Sequence, residues 1–278
     1  MSLSNIRRIG LGTVQFGLPY GISNKIGQPD KNTVHEVLDL ARANDISLLD
    51  TASAYGFAEL LLGQLGTTGF RIVSKYTPPE SNISIDEQLH TSLEMMQCES
   101  LYGYLSHRPQ NLLRHPEQWD ALKHLQDEGF VKKIGFSLNE PAELDALLEA
   151  GFHPDLIQIP VNYFDRRFIP YFDNLKSINT EIHARSVYLQ GLFFLNDFPD
   201  RFKPVENVIR QLQQQITRLP AALLNFVLSD ARIDQVVIGV QNKNQLQDVI
   251  SDLDHSEILP ELHLTISEDI LMPSKWSH

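Results

Sequence analysis

The stretch LLDTASAYGFAE, residues 48–59, runs from two leucines into a carboxylate and reaches a tyrosine five residues further on. A strand that only had to stop could end on any turn residue, so Asp50 must be hydrated, paired or chemically employed. The segments on either side decide which. Short β-rich runs recur as RIGLG at 8–12, SLLDT at 47–51, FRIVSKY at 70–76, SLYGYLSH at 100–107 and KKIGFSL at 132–138. Three more follow, DLIQIPVN at 155–162, EIHARSV at 181–187 and QVVIGV at 235–240.

Between these candidate strands lie segments with apolar residues at i, i+3, i+4 and i+7, among them 33–45, 84–97 and 117–129. Pro141 opens another helix and Gly151 closes it, proline first and glycine last. A further helix over 221–231 leads into the last strand. Eight strands alternating with helices predict an α/β (β/α)8 TIM barrel, with 1–278 as one domain; the strand runs are continuous, as parallel strands covered on both faces require. A doubly wound open sheet is the structural rival. A dinucleotide fold built on Gly10-Leu11-Gly12 is disfavoured because Gln15 stands where its third glycine belongs. Residues 16–32 and 188–204 lack clear periodicity and follow predicted strands, so they are expected over the C-terminal face as candidate substrate loops.

A net charge of -12, with no basic cluster beyond doublets such as Arg166-Arg167, repels phosphate backbones and argues against nucleic acid. No apolar run is long enough for a signal peptide or a membrane span, and the lone Cys98 forms no intrachain disulfide, so the expected location is cytoplasmic. The leading MSL is compatible with an expression remnant, and the tail after Trp276 is too short to close over a pocket. Ten scattered histidines give no paired metal spacing.

Asp50, Lys75 and His107 end the second, third and fourth predicted strands, and Tyr55 follows Asp50. In a barrel these strand ends are neighbours. A phenol titrates near ~10, and an ammonium ion within ~4–6 Å makes it a better acid at neutral pH. Lys75 is placed to act on Tyr55 in this way, Asp50 to keep Lys75 charged, and His107 to hold a carbonyl oxygen by a hydrogen bond. Each residue has an ordinary alternative as a cap, a solvated cation or a structural histidine. Four at successive strand ends are read together as a site.

At these residues the chain resembles the aldo-keto reductase family. IGLGTVQFG, LLDTASAYGFAELLLG, IVSKY and YLSHRP match its order and spacing, and the likeness continues through KKIGFSLNEPAEL, IQIPVNYFDRR, LQGLF and VVIGVQNKNQL. The resemblance implies a barrel that reduces an aldehyde or ketone with hydride from NADPH, NADH being open, with Tyr55 as proton donor. It further implies cofactor contacts from Gly12, Thr13, Ser137, Gln158, Arg185, Ser186, Gly239, Gln241 and Gln245, with Ser137 and Gln158 on the nicotinamide amide. Leu138 replaces a usual asparagine, Arg185 stands where an aromatic often stacks, and Lys243 is the one charged residue at 239–245.

Glu59, Gly63 and Gly56 also match and are read as structural: a dipole-favoured acid, a glycine permitting a tight helix end, and a turn. The loop at 18–30 is similar to a branch associated with surface sugars, which implies a sugar or sugar-nucleotide carbonyl. Alternatives are aldose oxidation by the reverse reaction, a Schiff-base aldolase using Lys75, and a non-catalytic barrel subunit.

Overall fold

The computed structural model describes residues 3–78 and 83–276. Met1 and Ser2 of the opening segment and the two residues after Trp276 lie outside them. Eight parallel strands close into a barrel in chain order: β1 (Ile9–Gly12), β2 (Leu48–Asp50), β3 (Arg71–Tyr76), β4 (Leu101–Ser106), β5 (Val131–Ser137), β6 (Leu156–Pro160), β7 (Glu181–Arg185) and β8 (Gln235–Gly239). β1 pairs with both β2 and β8, which removes every sheet edge and excludes the open doubly wound sheet.

The helices of the outer ring are α1 (Lys31–Ala43), α2 (Ala58–Leu65), α3 (Ile85–Met96), α4 (Glu117–Asp127), α5 (Pro141–Glu149), α6 (Phe172–Ser177), α7 (Lys203–Gln215), α8 (Leu219–Leu228) and α9 (Lys243–Asp252). Their starts are set by local chemistry. Asp30 accepts the Thr33 amide at 2.8 Å, so α1 begins two residues before the periodicity suggests. Ser84 and Glu87 form a reciprocal capping box on α3. Past α5, Gly151 takes a φ of +85°, in line with its closing position. The segment 188–204 is less irregular than its composition suggests: 3-10 turns occupy Leu189–Phe194 and Asp200–Phe202, and α7 already starts at Lys203.

Side chains inside the barrel come in layers. Leu48, Val73, Leu105, Leu156 and Val237 form a small apolar cluster of their own, one residue from each of five strands. Residues from so many strands meet only on the barrel axis. Two positions further along, on the same face of each strand, stand Asp50, Lys75, His107, Gln158 and Gly239. The period of two thus stacks a polar layer on the apolar plug, at the C-terminal mouth.

At the opposite end Glu181 closes the barrel by accepting from Tyr102 at 2.7 Å, from Lys133, and from His183 Nε2 at 2.7 Å. Burial alone would raise the Glu181 carboxyl, but these partners hold it well below the usual range.

Gly63 differs from its expected role. It lies inside α2 rather than at a tight end, and a Cβ there would meet the Met95 carbonyl oxygen at 2.1 Å, so its lack of a side chain lets α2 and α3 pack closely. Glu59, in the first turn of α2, is more than a dipole partner: it is 3% exposed and accepts Ser74 Oγ at 2.6 Å and Ser92 Oγ at 3.0 Å, bolting α2 to β3 and α3. Burial raises its carboxyl above the usual range. Cys98 follows the C-terminal end of α3, partly buried against the main core. Among the described residues no helix is long and apolar enough to cross a membrane.

Candidate active site

Lys75 is fully buried near the end of β3 and spends its three ammonium protons on Asp50 Oδ1 at 2.8 Å, Asp50 Oδ2 at 2.9 Å and the Thr51 carbonyl at 2.8 Å. Burial pulls the Lys75 ammonium toward neutrality, but the charge of Asp50, with a smaller contribution from Tyr55, more than reverses this and raises it. The acid at the end of β2 is therefore paired. Asp50 Oδ1 also accepts Gln158 Nε2 at 2.6 Å, and Gln158 Oε1 lies 3.4 Å from Ser137 Oγ. A chain of polar contacts thus crosses the barrel from β3 through β2 and β6 to β5.

The Tyr55 ring sits above this layer, its centroid 5.1 Å from Lys75 Nζ and 5.8 Å from the His107 ring, which meets it edge-on at 82°. Backbone geometry fixes that position. The Tyr55 amide closes a turn onto the Ala52 carbonyl at 3.0 Å, and Gly56 follows with a φ of +57°. Gly17 packs so close that a Cβ on it would fall 1.8 Å from the Tyr55 carbonyl oxygen. His107 lies one residue past β4, and burial, followed by the charges of Lys75, Arg185 and Arg108, pushes it down to about 3. A neutral imidazole retains one N–H to donate.

These residues open into a cavity of about 900 Å³ at the C-terminal mouth. Of the residues implied by the resemblance, Gly12, Thr13, Asp50, Tyr55, His107, Ser137, Arg185, Ser186, Gly239, Gln241 and Gln245 line it. Lys75 and Gln158 lie beneath it, both fully buried. Gln158 is committed to Asp50 and Ser137 through both ends of its amide. Arg185 donates to Leu138 O at 2.8 Å, Asn139 Oδ1 at 2.7 Å and Ser186 Oγ at 3.0 Å, which fixes its guanidinium plane at the cavity wall. Ser186 has a φ of +62°, rare outside glycine, and turns the chain sharply there.

At the β8 end, Asn242 caps the Gln245 amide of α9 at 3.0 Å, and Gln245 Oε1 accepts the Gln241 amide at 2.8 Å. Two backbone donors that an anion could use are thus already engaged.

The structure adds lining residues that the sequence did not single out. Tyr20 accepts from Gln190 Nε2 at 2.8 Å, joining the two expected loops over the cavity. Ser23, Asn24, Arg108, Asn139, Asp248 and Trp276 also line it. Apart from Asp248, which lies in α9, their loop positions were the sole advance sign. Gln15 Oε1, Tyr188 Oη and Gln190 Oε1 are buried, lack protein partners and belong to lining residues. A cavity of this size with unsatisfied polar groups in its wall fits a bound dinucleotide. Among the described residues no cluster of three His, Cys, Asp or Glu could hold a metal ion.

Comparisons with known proteins bear on the family and the fold. The sequence profile described as the aldo/keto reductase family matches residues 8–266. Aldo-keto reductase YhdN of Bacillus subtilis (strain 168) is 29% identical over 185 residues, 59% of this chain and 54% of that protein, so the match spans about half the length of that relative. Among solved structures, the holo form of aldo-keto reductase AKR11C1 from Bacillus halodurans superposes with a TM-score of 0.72 at 18% identity, over 91% of this chain and 88% of that one. The glycerol dehydrogenase AKR11B4 from Gluconobacter oxydans gives a TM-score of 0.70 at 20% identity, over 91% and 88%. At such identities the superpositions speak for the fold.

Proposed function

The chain belongs to the aldo/keto reductase family, and on that premise we propose that it reduces an aldehyde or ketone, with Tyr55 as the proton donor. The observation that carries this is the Asp50–Lys75 pair buried directly beneath the Tyr55 ring. A dihydronicotinamide, when bound in this cavity, would supply hydride to the carbonyl carbon. Tyr55 gives its phenolic proton to the carbonyl oxygen as negative charge develops there. The buried ammonium of Lys75 stabilises the resulting phenolate in a setting where water screens little. Asp50 keeps Lys75 charged, and Gln158 keeps Asp50 in place. Neutral His107 donates its N–H to the same carbonyl oxygen, orienting it toward Tyr55.

Ser137 and Arg185 fit the nicotinamide end of the cavity. Gly239, Gln241 and Gln245, around the start of α9, fit the adenosine end. NADPH is the family's usual donor, and the lack of a cation lining this segment supports NADH as a second donor. Hydroxyl groups of Tyr20 and Ser23 around the mouth suit a hydroxylated, sugar-like acceptor. Run backward, the same relay oxidises an alcohol, with the Tyr55 phenolate taking the proton. The test is reduction of a generic aromatic aldehyde with either cofactor by wild type and Tyr55→Phe: turnover by the first and loss in the second supports the reading.

A Schiff-base role for Lys75 is opposed by its charge state. An amine that donates three hydrogen bonds and is raised above its ordinary range is a poor nucleophile.

A further inference from the structure

Charge in the catalytic cavity is unevenly committed. Besides His107, its charged lining residues are Asp50, Arg108, Arg185 and Asp248. Asp50 is neutralised by Lys75, and Arg185 is tied down by three hydrogen bonds. Arg108 is different: among the described residues its guanidinium makes no hydrogen bond or ion pair. A surface arginine without a partner is ordinarily just solvated. Two features set this one apart.

The first is position. Arg108 directly follows His107, and its charge is felt at that imidazole. β4 and β8 are the fourth and eighth of eight strands in a closed ring, so they face each other across the barrel. Arg108 thus lies opposite Gln241, Gln245 and Asp248, where the far end of a dinucleotide would rest. Arg108 therefore stands on the His107 side of the cavity, where the carbonyl oxygen of an acceptor would be held.

The second is the surrounding field. A side cavity of about 520 Å³ shares Ser23, Phe194 and Trp276 with the catalytic one and carries Lys25 and Asp197 together with Arg201, which is itself partnered. Lys25 thus adds a cation to the joined cavities, in a chain whose net charge is -12. A cation in such a wall draws anions locally.

We infer that the physiological acceptor is an anionic carbonyl compound, bearing a carboxylate or phosphate, and that Arg108 selects it through a charge-assisted hydrogen bond. A planar guanidinium matches either group with two parallel N–H donors. This rests on the reductase reading and adds the substrate class to it.

The test compares 4-carboxybenzaldehyde with its neutral counterpart methyl 4-formylbenzoate, and glyceraldehyde 3-phosphate with glyceraldehyde. Wild type is expected to favour one or both anions in kcat/KM, and the pair showing the larger preference separates carboxylate from phosphate. Arg108→Gln should lower kcat/KM for the favoured anion by about tenfold or more, while the neutral partner stays within about twofold. No preference in wild type, or equal losses on both partners, overturns the inference.

Binding gives a readout independent of turnover, because Trp276 lies in the cavity wall. Quenching of tryptophan fluorescence by 4-carboxybenzyl alcohol against its methyl ester, and by glycerol 3-phosphate against glycerol, should show tighter binding of an anion in wild type and not in Arg108→Gln. That result upholds the anion site even where no aldehyde is reduced, a failure that would belong to the reductase reading. Equal binding of charged and neutral compounds overturns the site.

Discussion

Gln158 Nε2 donates to Asp50 Oδ1 at 2.6 Å, so the carboxylate that holds Lys75 is itself held from the far side of the barrel. The resemblance assigned Gln158 to the nicotinamide amide, whereas in the structure it is fully buried below the cavity. The two roles predict different kinetics. Gln158→Met should lower kcat by roughly tenfold, as expected for one lost hydrogen bond to a charged group, while the dissociation constant of the cofactor changes by less than about threefold. Single-turnover kinetics beside a cofactor titration reads both. A large loss of cofactor affinity would return Gln158 to the nicotinamide.

The Lys75–Asp50 pair is also a stability element. Removing one partner of a buried pair strands the other's charge, and Lys75→Met should cost about 3–5 kcal/mol. Replacing both, with Asp50→Asn added, should recover part of that loss because no buried charge remains. Urea denaturation of the two variants checks the ordering.

Neutral His107 has a spectroscopic consequence. Its titration is pushed down to about 3, so its imidazole resonances should not move between pH 5 and 8. A His107 midpoint near ~6.5 would contradict the burial and the charges described around it.

Glu59 makes stability pH-dependent with a definite sign. Its carboxyl is raised in the folded state, chiefly by burial, so the folded chain holds that proton more tightly than the unfolded chain. Its contribution is fully present below the unfolded value near ~4.3 and is lost as pH rises through the raised folded value. Glu59→Gln removes this loss. Relative to wild type, the variant should gain stability on going from pH 4 to pH 8, measured as the shift in urea midpoint. A difference independent of pH would mean that Glu59 does not titrate differently on folding.

All eight strands were legible within two residues at each end because parallel strands covered on both faces read as unbroken apolar runs. The positions of Asp50, Lys75 and His107 were legible for the same reason, since polar residues stand out where such runs end. The start of α7 was obscured by Pro199 and Pro204, although Val205, Ile209 and Leu212 carry its buried stripe. Long-range pairings left no local trace. Gln158 meets Asp50 across 108 positions, and Gln190 meets Tyr20 across 170. Only the closed barrel brings them together.

The most direct test of the central claim is a fluorescence titration of NADPH and NADH into wild type and Tyr55→Phe, followed by assay with an aromatic aldehyde. Wild type and the variant should bind cofactor equally, and the variant should lose about 10²–10⁴-fold in turnover, the contribution of one positioned proton donor. If neither cofactor binds wild type at high micromolar concentration, or if Tyr55→Phe turns over undiminished, Tyr55 is not the proton donor of a nicotinamide-dependent reduction.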